Sequence, residues 1–85
     1  MSVTSPEWLT KRGGDFRPGA VGNSWLVLLG GEPQYRLVPM PADGKYGCQL
    51  IQTVNGKQLD KGRTFATPED ALRGGLEDLR QSLGW

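Results

Sequence analysis

Eighty-five residues make about one small domain, near the lower size limit for a fold held by a single hydrophobic core without a staple. One cysteine and no histidine exclude an intrachain disulfide and a Cys/His zinc site. Ten Lys and Arg against nine Asp and Glu leave a net charge of +1, which removes the basic footprint of a protein held to nucleic acid by its overall charge.

From the N-terminus, residues 1–4 are expected to be disordered, and MSVTSPEW lacks the basic-then-apolar layout of a signal peptide. Ser5-Pro6-Glu7 carries a hydroxyl cap, a first-turn proline and an early carboxylate, which predicts a short helix over about residues 6–12 that buries Trp8 and Leu9 and ends at Gly13-Gly14. Residues 13–23 read as a glycine-rich loop in which Phe16 and Val21 pin the chain to the surface. Ser24–Gly30 is a strand apolar on both parities, as a doubly covered strand would be. Its run Trp25–Leu29, the longest apolar one, is far too short to span a bilayer, so no membrane partner is expected.

Gly31-Glu32-Pro33 closes a turn, and Tyr35–Met40 forms the next strand. Ala42-Asp43-Gly44-Lys45 turns into Tyr46–Val54, where Tyr46, Cys48, Leu50 and Val54 alternate with Gln49, Ile51 and Thr53. Asn55-Gly56 is the strongest hairpin signal, since both residues tolerate the positive φ of a type I′ turn. The return strand is a stub, broken at Asp60-Lys61-Gly62 before Phe65 reaches the core.

The final stretch, TPEDALRGGLEDLRQSL, organises the rest. Leu72, Leu76, Leu79 and Leu83 fall on one helical stripe, Thr67 is the N-cap, Pro68 opens the first turn, and Gly84 ends the helix. Gly74-Gly75 costs about 1 kcal/mol per residue relative to Ala, so something must approach closely there. Two readings stand: tight packing on the chain's own sheet, or a helix-to-helix dimer contact. The fold class is therefore α+β in one unit, residues 1–85: a short N-terminal helix, a three-stranded antiparallel sheet with a stub of a fourth strand, and a C-terminal helix on one sheet face. The expected core is Trp8, Trp25, Val27, Leu37, Tyr46, Cys48, Leu50, Leu59, Phe65, Leu72, Leu76, Leu79 and Leu83.

No catalytic, cofactor or metal constellation is visible. Glu69-Asp70 and Glu77-Asp78 read as a dipole complement and a solvated face, Cys48 has no imidazole to activate it, and neither GxxxxGK[ST] nor GxGxxG occurs. The order of elements, with the segment NGKQLDKGRTFATPEDALRGGLEDLRQSLG, resembles the double-stranded-RNA-binding domain, and GRTFATPEDALRGGLEDL is similar to the hairpin-to-helix junction of phage-integrase arm-binding and plant-type three-strand DNA readers and of HicB-type antitoxins. The first resemblance implies an RNA grip at the start of the last helix. The matching positions here, Thr67, Pro68, Glu69 and Asp70, would instead repel phosphate.

Two function classes follow. The first is a non-enzymatic protein-interaction module of bacterial or phage type, cytoplasmic, acting on a partner or on a second copy through a sheet face or edge. Its candidate interface residues are Ile51, Val38, Leu28 and Trp85, with Leu26 as the alternative to Leu28. The second is a DNA- or RNA-binding domain using Arg36, Lys45, Lys57, Lys61 and Arg63. The same charges also read as scattered surface residues.

Overall fold

A computed structural model describes residues 5–19, 24–60 and 62–85; the expectations for residues 1–4, Val21 and Lys61 lie outside these described residues. The elements run α1 (Glu7–Thr10), β1 (Gly14–Pro18), β2 (Trp25–Leu29), β3 (Glu32–Ala42), β4 (Lys45–Gln52), β5 (Thr64–Phe65) and α2 (Pro68–Leu83).

α2 forms where its capping residues dictate. The Thr67 hydroxyl accepts the Asp70 backbone N–H at 3.1 Å, and at the far end Gly84 takes a left-handed φ of 73° while Trp85 N–H reaches back to the Arg80 carbonyl at 3.0 Å. Leu72, Leu76 and Leu79 are buried and Leu83 half-buried, each fully buried leucine being worth about 1.5–3 kcal/mol over an exposed one. They rest on β3, β4 and β5.

The sheet has five antiparallel strands in the order β1-β2-β3-β4-β5, two more than the three expected; the anticipated stub after Asn55-Gly56 is a single bridge from Gln58 to Ile51, and β5 comes after it. The added edge strand, β1, occupies residues expected to be loop. Phe16 explains it: its ring stacks on Trp25 at 4.9 Å and is buried, while Asp15 and Arg17 alternate outward. Gly and Pro signals in that stretch describe its ends rather than its middle.

Turn chemistry is also redistributed. The two-residue hairpin loops are Gly30-Gly31 (φ 62° and 83°) and Asp43-Gly44 (φ 50° and 79°), the positive pairs that a type I′ turn requires. At Asn55-Gly56 only Gly56 has positive φ, so the expected type I′ turn is absent. A longer loop forms instead, closed by Gly56 N–H to the Gln52 carbonyl and by Gln52 N–H to the Lys57 carbonyl, both at 2.8 Å. Asn55 contributes through its side chain, whose oxygen accepts the Lys57 N–H at 2.9 Å.

The core lies between α2, α1 and one sheet face. Phe16 and Tyr35 join the expected set, whereas Trp8, Tyr46, Cys48, Leu59 and Phe65 are only half-buried. The helical glycines have their explanation here. A Cβ on Gly74 would stand 2.1 Å from Phe65 Cζ, and one on Gly75 would stand 2.5 Å from Cys48 Sγ and 3.0 Å from Leu37 Cδ2. Both open the helix to its own sheet.

Candidate functional site

Alternation along the strands divides the sheet into two chemically different faces. Phe16, Trp25, Val27, Tyr35, Leu37 and Leu50 point toward the helices and are buried. The opposite face carries Leu26, Leu28, Val38 and Ile51, all half-buried, and Met40, which is 46% exposed. α2 packs on the first face, so no helix among the described residues covers the second.

Register sets the pattern of this open face. Arg17, Leu26, Arg36, Ile51 and Gln58 lie opposite one another across the sheet in a single row. Val38 opposite Gln49, then Met40 opposite Gly47 and Thr64, form the next two rows. Arg36 therefore stands exposed between two apolar neighbours.

Charges on the face are unequal. Asp15 is ion-paired with Arg17, whose guanidinium, helped by the Ser5 hydroxyl, holds the Asp15 carboxyl below the usual carboxylate range. Among the described residues Arg36 has no ion-pair partner, and neither does Lys45 at the end of β4. Asp15 is the only carboxylate that the strands present on this side.

Two stretches along the sheet's edges, by contrast, are closed. On β1, Phe16 N–H donates to the Ser5 hydroxyl and to the Asp15 carboxylate, both at 2.9 Å, and Pro18 has no N–H to offer. Beyond β4, Leu59 N–H bonds to the Leu50 carbonyl at 2.7 Å and the Asp60 carboxylate accepts the Leu50 N–H at 3.3 Å. An incoming strand finds no free ladder at these positions.

Between β4 and the segment leading to β5 lies a recess of about 260 Å³. Met40, Gly47, Gln49 and Thr64 of the open face line it, together with Cys48, Gln58, Asp60 and Arg63. The Cys48 thiol is pushed up to about 12 by burial, with the Asp60 carboxylate adding to the effect, so it stays protonated at neutral pH and is a weak nucleophile.

The sequence candidates separate accordingly. Ile51, Val38 and Leu28 share the open face, together with Leu26. Trp85 does not; it packs edge-on against Trp8, ring centroids 6.1 Å apart, with the Arg12 guanidinium 4.6 Å from its ring. Of the basic set, Arg36 and Lys45 lie on the open face, and Lys57 sits beside Gln52 at the other end of β4 from Lys45. Arg63 is turned the other way, onto α2, where it bonds to Asp78 at 2.7 Å and to the Gly74 carbonyl at 3.0 Å and lies 5.2 Å from the Phe65 ring centroid.

That last contact corrects the reading of Asp78 as solvated: it is buried, and Arg63 is its counter-charge. The available signal was position, since Asp78 falls three residues after Gly75 and seven after Ala71, on the small-residue flank that faces the sheet. No family model, curated protein or solved structure matches the chain. Among the described residues no cluster of three His, Cys, Asp or Glu could hold a metal ion, and no helix is long and apolar enough to cross a membrane.

Proposed function

We propose that the chain is a non-enzymatic interaction module that binds protein through the open face of its sheet. One observation carries the reading: a strip of Leu26, Leu28, Val38, Ile51 and Met40 crosses β2, β3 and β4 on the side that no helix among the described residues covers. Closed edges at Phe16 and Leu50 direct binding to the face rather than to strand addition. The basic residues give nucleic acid less support, because Arg63 is turned onto α2 and Lys57 sits beside Gln52, at the far end of β4 from Lys45.

Binding of an environment-sensitive apolar dye to the folded chain, combined with light scattering, tests this. The wild-type chain is expected to bind the dye, and Val38→Glu and Met40→Glu to abolish that binding while melting at nearly the wild-type temperature. A strictly monomeric chain that binds no dye and is indifferent to both substitutions would remove the proposal.

A further inference from the structure

The geometry points to an acidic, apolar peptide segment of another protein as the occupant of the open face; this inference rests on the functional reading above and names its partner. The argument is charge complementarity. Arg36 stands in the middle of the apolar row between Leu26 and Ile51, exposed and without an anionic partner among the described residues, while the one carboxylate on the strands of that face is taken by Arg17. Covering Arg36 without a counter-charge would strand a desolvated cation, which is expensive. The covering surface must therefore bring a carboxylate to Arg36 and apolar side chains to Leu26, Val38 and Ile51.

Lys45 extends the pattern. It lies on the same face six β4 residues from Ile51, the residue opposite Arg36, so the two cations are about 20 Å apart along the strand. The recess lined by Met40, Gly47 and Gln49 opens between them, with room for one bulky apolar side chain. A segment that follows β4 thus meets cation, recess and cation in turn, the Asp60 carboxylate in the recess lining being held by the Leu50 N–H. Six extended residues or about thirteen helical ones span that length.

Two other occupants fit less well. A second copy of this chain stacked about the centre of the face would set Arg36 against Arg36, with the one carboxylate on the strands of the face, Asp15, already paired with Arg17. Single-stranded nucleic acid is gripped by stacking on exposed aromatic rings, and on this face the described residues present none, since Phe16, Trp25, Tyr35, Tyr46 and Phe65 belong to the helix-facing side.

The test is selection of a random 16-residue peptide display library on the full chain, followed by fluorescence anisotropy with the best labelled peptide. Selected peptides are expected to combine Asp or Glu with Leu, Ile, Phe or Trp. Arg36→Glu should weaken binding by about tenfold or more, and replacing the peptide's carboxylate with Lys should restore binding to that variant but not to wild type. Loss of binding in Met40→Glu with no effect of Arg36→Glu would overturn the acidic partner while leaving the open-face reading intact. Indifference to both substitutions would overturn both. A dimer by light scattering that Met40→Glu dissociates, or displacement of the peptide by a labelled single-stranded oligonucleotide, would also overturn the assignment, in favour of a second copy or of nucleic acid.

Discussion

Gly75→Ala puts the helix-on-sheet packing to a direct test. In an exposed helix interior this substitution stabilises by roughly 1 kcal/mol, because alanine is the better helix former. Here the new Cβ would lie 2.5 Å from Cys48 Sγ, 3.2 Å from Cys48 Cβ and 3.0 Å from Leu37 Cδ2. Leu37 is fully buried and Cys48 sits mid-strand in β4, so relief requires α2 to lift or β4 to recede. Overpacking of this kind costs about 1–3 kcal/mol, which exceeds the propensity gain. The net expectation is a loss on the order of 1 kcal/mol, read as a fall in Tm of about 4–8 °C by thermal circular dichroism. Cys48→Ala removes the closest atom, so Gly75→Ala should cost markedly less in that background. A Gly75→Ala variant that melts higher than wild type would refute the reasoning.

Other substitutions probe the remaining contacts. Arg63→Ala leaves the Asp78 carboxylate buried without its counter-charge; because Arg63 is itself nearly half exposed, the expected loss is about 1–3 kcal/mol in urea unfolding, largely recovered in Arg63→Met/Asp78→Leu. Trp85→Ala removes the ring packed on Trp8 and beneath Arg12 and should lower stability by about 1–2 kcal/mol, with no effect on open-face binding. Cys48, with its pKa raised from 9.0 to about 12, should react with iodoacetamide far more slowly in the folded chain than in urea. Its raised value also sets a sign: the folded state keeps the proton that the unfolded chain loses, so this contribution is fully present below pH 9.0 and is lost as pH rises toward 12, a decline that Cys48→Ala should flatten.

The C-terminal helix was legible because its signals are local. Thr67, Pro68, the leucine spacing and Gly84 each act within a turn or two of themselves, and each does so in the structure. The open-face trio Ile51, Val38 and Leu28 was legible for a similar reason, since a period of two assigns faces once a strand is recognised. β1 was not, because Phe16 is strand only through its partner Trp25, nine positions away, and the flanking glycines and proline speak for a loop. Asn55-Gly56 and Asp43-Gly44 carry equivalent turn chemistry. Strand ends decide between them: β3 and β4 leave two residues at 43–44, whereas the chain beyond Gln52 must also reach the bridge between Gln58 and Ile51. Arg36 and Lys45 shared a list with Lys57 and Arg63 because sequence records charge without direction; only the register shows which cations rise from the apolar strip.

The central claim, that one sheet face is core and the other is open, is tested most directly by two neighbouring residues of β4. Leu50 faces α2 and is fully buried, while Ile51 faces outward opposite Arg36. Thermal melts of Leu50→Glu and Ile51→Glu should give an unfolded chain for the first. For the second they should give a cooperative transition within a few degrees of wild type, helped by a new cross-strand ion pair with Arg36. Equal destabilisation by the two substitutions would contradict the account.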